Sequence, residues 1–150
     1  MNNFIKILAT WWGTGYSPVA SGTVGTLAAI PLYIILAPFS VSLYLTTLIA
    51  FFFLSCWISG RAEIIFQEKD SGKIVIDEVI GYLVTMTAIP YSWKYIIAGF
   101  ILFRFFDIVK IQPAKWVDQK LKNGYGVVLD DVVAGIYAWL CMLVVVRVIK

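Results

Sequence analysis

Residues 95–110 read YIIAGFILFRFFDIVK, an apolar run whose three charges, Arg104, Asp107 and Lys110, gather at its C-terminal end. The spacing i, i+3, i+6 sets all three near one stripe of a helix. A charged side chain joined to so apolar a helix is costly in hydrocarbon unless it reaches the interface or meets a partner. The stretch therefore predicts a membrane helix with a polar end.

Four more apolar runs flank it, at about 24–39, 43–59, 79–90 (from 74 if its acidic pair is included) and 132–149; the run just quoted supplies 95–109. A full crossing takes about 20 apolar residues, so most of these are short and some are expected to tilt or insert partly. Hydrophobic residues make up 61% of the 150 and charged residues 14%. A soluble domain of this size would have no core large enough to hide that excess, which makes lipid the expected solvent. The expectation is an all-α, polytopic membrane protein of about five short spans, with residues 1–150 forming one domain. No small-x-small cleavage pattern follows the first apolar stretch, so no cleaved leader is expected.

Charge orients the spans. If all five cross, one side carries Lys6, Arg61, Lys69, Lys73, Lys110, Lys115, Lys120 and Lys122, and the other Lys94, Arg147 and Lys150. The positive-inside rule places the first side in the cytoplasm. Four polar clusters fall at that same side: the Gly/Ser/Thr-rich segment before the first span, Asp77-Glu78 at the third, Arg104-Asp107-Lys110 at the end of the fourth, and Asp130-Asp131 at the start of the fifth. Their agreement predicts a single site at the lipid–water boundary. Net charge is +3, too weak to indicate nucleic-acid binding.

Each cluster has a structural alternative. Asp77-Glu78 could satisfy a helix dipole; lying about 100° apart on a helix, one of the two is expected to face the site. Arg104 and Asp107 could be a buried ion pair with Lys110 snorkelling to headgroups. Asp130 or Asp131 could cap the fifth helix. Taken together, five carboxylates brought to one place would repel one another unless a cation joined them. With only oxygen ligands, that ion is expected to be hard, Mg²⁺ before Ca²⁺ or Mn²⁺. On this reading Asp107 serves the cation, and Arg104 and Lys110 serve phosphate oxygens. The loop GTGYSPVASGTVGT at 13–26 adds glycines that let backbone amides approach an anion, and the hydroxyls of Ser17, Ser21 and Thr23, just ahead of a helix N-terminus.

Several chemistries are excluded. The chain has no histidine, which removes His-nucleophile and Ser-His-Asp mechanisms. Cys56 and Arg61 are wrongly spaced for a Cys-x5-Arg phosphatase, and Cys56 and Cys141 both lie in apolar runs, where free thiols are expected. Metal-assisted hydrolysis by carboxylates remains.

The four blocks GTGYSPVASGTVGT (13–26), IVIDEVIGY (74–82), AGFILFRFFDIVKIQPAKWVD (98–118) and NGYGVVLDDVVAG (123–135) resemble, in order and spacing, the phosphatidylglycerophosphatase A family. The resemblance implies a Mg²⁺-dependent phosphomonoesterase of the bacterial inner membrane, cleaving phosphatidylglycerophosphate to phosphatidylglycerol at the cytoplasmic leaflet. It implies Asp77, Glu78, Asp107, Asp130 and Asp131 as catalytic acids, with Glu78, Asp107, Asp130 and Asp131 as metal ligands. Thr14, Ser17, Thr23, Arg104 and Lys110 become contacts to the anionic phospholipid. The chain departs from the family pattern at Ser21, Ile111 and Lys115, which bear on loop rigidity and headgroup fit. Attack by water and a phospho-aspartate route are both open. A small transporter for a cation or phosphate is the alternative; it predicts charges at mid-span rather than at span ends. A non-catalytic scaffold would tolerate loss of Asp107 or Asp131.

Overall fold

The computed structural model describes residues 1–110, 112 and 124–149. The expected basic segment with Lys115, Lys120 and Lys122, together with Ile111, Pro113 and Lys150, lies outside the described residues. Among the described residues every regular element is helical: α1 (Asn2–Ala9), a 3-10 turn (Thr14–Tyr16), α2 (Ser21–Leu36), α3 (Val41–Phe66), α4 (Ile76–Thr85), α5 (Trp93–Val109) and α6 (Gly124–Val148). The all-helical expectation holds, and α3 and α6 are long and apolar enough to cross a membrane.

The helix limits differ from the sequence reading in informative ways. The third helix runs from Ile76 to Thr85 and includes the acidic pair in its first turn. At 1.5 Å per residue it is about 15 Å long, half a hydrocarbon core. The last helix begins at Gly124, so Asp130 and Asp131 sit inside it rather than capping it. The charged stretch after residue 59, expected as a connection, continues α3 to Phe66. Helical hydrogen bonding extends through Arg61 and Glu63 because both are good helix formers. At the other end of α3 the Ser40 hydroxyl accepts the Leu43 N–H and caps the first turn.

Outward faces are apolar. Ile49, Phe53 and Trp57 on α3, Ile97, Ile101, Phe105 and Ile108 on α5, and Ile136, Leu140 and Val144 on α6 are all exposed at three- to four-residue intervals. That is a helix stripe pointing away from the protein, the reverse of a soluble helix, and it suits a lipid surface.

The short helix α4 is the axis of the bundle. Ile76, Asp77, Val79, Ile80, Gly81, Tyr82, Leu83 and Thr85 are all buried, against α6, α2, α3 and α5. In lipid, helices gain little from burying apolar surface, so close approach of small residues and hydrogen bonds must hold them. The crossing of α4 and α6 shows this. A Cβ at Gly135 would stand 2.4 Å from the Gly81 carbonyl oxygen, and one at Gly81 would stand 2.9 Å from the Asp131 carbonyl oxygen. The Thr85 hydroxyl, one turn along, lies 3.0 Å from the Gly81 carbonyl and 3.3 Å from that of Gly135.

Candidate active site

The glycine crossing places the acids. Asp77 lies four residues before Gly81, and Asp131 four residues before Gly135. Four residues is about one helical turn, so two helices in contact at the glycines carry both acids to the same end. Glu78, next to Asp77, reaches the same point with its longer side chain. One carboxylate oxygen from each of Asp77, Glu78 and Asp131 lies within 4.8 Å of the others. Both members of the Asp77-Glu78 pair therefore reach the cluster, where helix geometry alone led to the expectation of one and the family resemblance implied both. The Glu78 N–H donates to Asp77 Oδ1 at 3.1 Å, which folds the Asp77 carboxylate back onto the helix start.

Two further acids surround this trio, each with a cation. Arg104 and Asp107 form an ion pair on α5, both side chains largely buried. Lys110 donates from Nζ to Asp130 Oδ2 at 2.7 Å. Lys110 was expected on the Arg104–Asp107 stripe, but it is the C-cap of α5 with φ 45°. This left-handed turn takes it off the stripe and over to α6. Asp107 and Asp130 lie within electrostatic reach of Asp77 and of Asp131. All five acids named from the sequence thus meet in one region, joined by Arg104 and Lys110.

The Gly/Ser/Thr loop contributes in a way the sequence reading did not anticipate. A Cβ at Gly22 would stand 2.3 Å from Glu78 Oε1 and 3.1 Å and 3.2 Å from the two terminal nitrogens of Arg104. Only a residue without a side chain lets the first turn of α2 lie against both groups. That turn has no side-chain cap, and its first amides have no intrahelical acceptor. Gly22, in that turn, lies beside the Arg104 guanidinium, so the positive end of the helix dipole and the arginine share one neighbourhood. The Ser21 hydroxyl donates to the Gly72 carbonyl at 2.6 Å, tying the loop to the segment that leads into α4. The Val75 N–H donates to the Ala9 carbonyl at 2.9 Å and ties α1 to the same segment. Gly22 was inside a quoted motif but was not singled out; a glycine at the opening of a helix was the available signal.

The hydroxyls named from the loop are placed differently. Thr14 Oγ1 lies 3.0 Å from the carbonyls of Thr10 and of Trp11, and Ser17 Oγ donates to the Val19 carbonyl at 2.9 Å. Both protons serve the loop's own shape. Thr23 lies in the first turn of α2, part-exposed.

Three polar atoms at the site are buried without a hydrogen-bond partner among the described residues: Glu78 Oε2, Asp131 Oδ2 and Arg104 Nε. Leaving such atoms bare costs roughly 1–3 kcal/mol each, more when charged. The carboxylates of Asp77, Glu78 and Asp131 could hold a cation, and the Arg104 guanidinium is the group nearby that could meet an anion.

The family profile described as phosphatidylglycerophosphatase A matches residues 7–146. A Haemophilus influenzae protein named phosphatidylglycerophosphatase A is 41% identical over 138 residues, covering 91% of this chain and 85% of its own. The Escherichia coli protein of the same name is 34% identical over 137 residues, covering 91% and 80%. A Bacteroides thetaiotaomicron protein named "Putative phosphatidylinositol-3-phosphatase" is 37% identical over 153 residues, covering 95% and 94%. No solved structure matches the chain. The chain belongs to the phosphatidylglycerophosphatase A family.

Proposed function

With that membership as the premise, we propose that the chain hydrolyses the terminal phosphomonoester of phosphatidylglycerophosphate, releasing inorganic phosphate and phosphatidylglycerol. The observation that carries the reading is the convergence of Asp77, Glu78 and Asp131, two of them with unsatisfied oxygens, beside Arg104 and the open end of α2. The family names support the reaction; the site supports the way it is done.

The donor set fits a hard divalent cation: every ligand atom is a carboxylate oxygen, three of them converge, and among the described residues no nitrogen or sulfur ligand joins that group. Asp77, Glu78 and Asp131 would hold Mg²⁺, with Asp107 and Asp130 behind them. When bound, the ion supplies positive charge against the phosphoryl oxygens and makes water more acidic. Arg104 orients the phosphate: Asp107 fixes one edge of its guanidinium and leaves Nε and the side facing Gly22 for phosphate oxygens. The first-turn amides of α2 add neutral donors to the same anion. Lys110, held by Asp130, balances charge at the rim of the site. Water attacks phosphorus in line as a carboxylate of the acidic cluster accepts one of its protons; the bond to the glycerol oxygen breaks, and that oxygen takes the proton from the carboxyl group, leaving a hydroxyl on the lipid and free phosphate.

Membrane placement follows the same reading. We read the apolar helices α2 to α6 as five full or partial passes, of which α3 and α6 are long enough to cross by themselves. On that reading Lys6, Arg61, Lys69, Lys73 and Lys110 share one side and Lys94 and Arg147 the other, a distribution that supports a site at the cytoplasmic face of the inner membrane. The phosphate of the substrate then meets the acids at headgroup depth, and residues 1–150 act as one membrane-embedded phosphatase domain.

A second substrate has its own support in the Bacteroides relative, which matches over the larger share of both chains. A phosphoinositide also presents a phosphomonoester on a lipid polyol. The deciding experiment measures phosphate release by purified protein from phosphatidylglycerophosphate and from phosphatidylinositol 3-phosphate, with and without Mg²⁺, beside an Asp107→Asn variant. Turnover of phosphatidylglycerophosphate that needs Mg²⁺ and Asp107 supports the proposal. Folded protein with no turnover of that lipid in either condition defeats it, and turnover of the phosphoinositide alone transfers the activity to the second substrate.

A further inference from the structure

The segment ahead of the site carries apolar surface that no part of the described chain covers. Helix α1 is about 12 Å long, far too short to cross a membrane. Ile5 and Ala9 are buried and fix it to the bundle. Asn2, Asn3 and Lys6 form its polar arc. The apolar arc is wider than the protein behind it, and Phe4 and Ile7 overhang, 61% and 48% exposed. Beyond α1 the same excess continues with Trp12, Tyr16 and Val19, all exposed.

The backbone makes the arrangement more pointed. Trp11 and Trp12 both have positive φ, 44° and 56°. Bulky residues rarely adopt that region, and each such residue costs on the order of 1–3 kcal/mol. The result is a division of labour. The Trp11 ring is buried and donates from Nε1 to the Ala28 carbonyl at 3.0 Å. The Trp12 ring packs edge-on against it, centroids 4.6 Å apart, and projects outward, 68% exposed. A strained turn that holds an indole away from the protein has no benefit in water. In the headgroup layer an indole finds its preferred environment.

Charge complements the apolar rim. A groove of about 460 Å³ is lined by Ile7, Trp12 and Tyr16 together with Asn3, Lys6 and Thr10. Tyr16 packs edge-on against Phe66, and Lys73 Nζ stands 5.5 Å from the centre of the Phe66 ring. Two ammonium groups therefore flank the exposed rings. Nearby acids are turned onto their own chain: Glu63 accepts the Asp70 N–H, and Glu68 accepts the Ser71 hydroxyl.

We propose that α1 and residues 11–19 form an interfacial platform, a surface that lies in the anionic headgroup layer with Phe4, Ile7, Trp12, Tyr16 and Val19 in the acyl boundary and Lys6 and Lys73 at the phosphates. The bond from the Val75 N–H to the Ala9 carbonyl joins this platform to the chain two residues before Asp77. The platform thereby sets the depth of the acidic site, so that a phosphate at headgroup level meets it without the lipid leaving the bilayer. The inference goes beyond the reaction and does not rest on which lipid phosphate is cleaved.

The test uses the full chain in vesicles of phosphatidylcholine and phosphatidylglycerol, with an environment-sensitive fluorophore at Trp12→Cys or, as the water-facing control, at the exposed Asn2→Cys outside the groove, in a Cys56→Ala/Cys141→Ala background. The label at position 12 is expected to be quenched by shallow spin-labelled lipid and shielded from iodide, and the label at position 2 to behave oppositely. Equal iodide access at both positions overturns the proposal; so does shielding at position 12 without lipid quenching in a chain that sediments as a dimer, which would make the surface a contact between copies. If the cysteine-free background does not fold, the loss of brominated-lipid quenching between the parent and Trp12→Phe gives the same answer. In a second arm, Phe4→Gln/Ile7→Gln should lower turnover of bilayer-borne substrate about tenfold while leaving a short-chain, water-soluble analogue within about twofold. Equal losses on both substrates, or no loss on either, would contradict a surface-docking role. The fluorescence arm needs no turnover, so it stands or falls separately from the assigned reaction.

Discussion

The two ends of the helical bundle hold buried polar groups on opposite terms. At the end away from the acids, Tyr44 donates to the Leu83 carbonyl at 2.7 Å, Tyr82 to that of Ile96 at 3.2 Å, Tyr33 to that of Ile89 at 3.4 Å, and Trp139 Nε1 to that of Thr87 at 2.9 Å. Each ring has one polar atom, and each such atom is bonded to backbone. At the acidic end Glu78 Oε2, Asp131 Oδ2 and Arg104 Nε are buried and bare. In a low-dielectric setting an unpaired polar atom is expensive. Ser55 Oγ and Ser59 Oγ on α3 are also buried and unpaired among the described residues, but the three atoms at the acidic end belong to ionisable groups. On the proposed function those valences serve a cation and a phosphate, while the rings serve the fold.

The contrast can be broken by mutation. The largest effect is expected from Asp131→Asn or Asp77→Asn, which removes charge from the trio with little change in shape. Turnover should fall about a thousandfold, while helical circular dichroism stays that of the parent. An activity loss that tracks loss of helix would place the acids with the rings. Gly22→Ala comes next. Its Cβ would displace Glu78 and press on Arg104, and a misplacement of about 1 Å costs on the order of a hundredfold in rate; unchanged kinetics would mean that α2 does not touch the working site.

Metal removal sharpens the comparison without any need for turnover. Mg²⁺ at 100 times its dissociation constant should stabilise the protein by about 2.7 kcal/mol. Scanning calorimetry in detergent should show that gain in the parent and lose it in Asp131→Asn and on chelation. A gain that persists in the variant would put the cation elsewhere. At the other end, Tyr44→Phe removes the 2.7 Å donor of the Leu83 carbonyl and leaves it the Thr87 hydroxyl at 3.2 Å, so a loss of about 1 kcal/mol is expected with activity per folded molecule unchanged. Tyr33→Phe should be the mildest, about 0.5 kcal/mol, because its bond is long.

Much of this was legible in the sequence. The runs of apolar residues and the thinness of charge announce helices in lipid, because a chain so rich in hydrocarbon has no aqueous alternative. The five acids, Arg104 and Lys110 stand out for the same reason: against an apolar background, a charge needs an explanation. That they fall at one end follows from counting spans. Helix limits were less legible. Asp130 and Asp131 read as the start of a helix because hydropathy rises after them, yet the hydrogen-bond ladder begins six residues earlier, at Gly124, and is indifferent to hydropathy.

What the tertiary structure alone decided is which distant charges meet. The Arg104–Asp107 pair lies along one helix and was already open to the sequence, but Lys110 leaves that stripe to pair with Asp130. Asp77, Glu78 and Asp131 remain to face one another. The sequence determined by itself that these groups exist and that they are costly against an apolar background, and it led to the expectation that they gather at one place. Their partners depend on the rotation and offset of helices around the Gly81–Gly135 crossing and on Gly22 lying over Glu78. Those contacts join residues about 50 positions apart, and local preference carries no information about them.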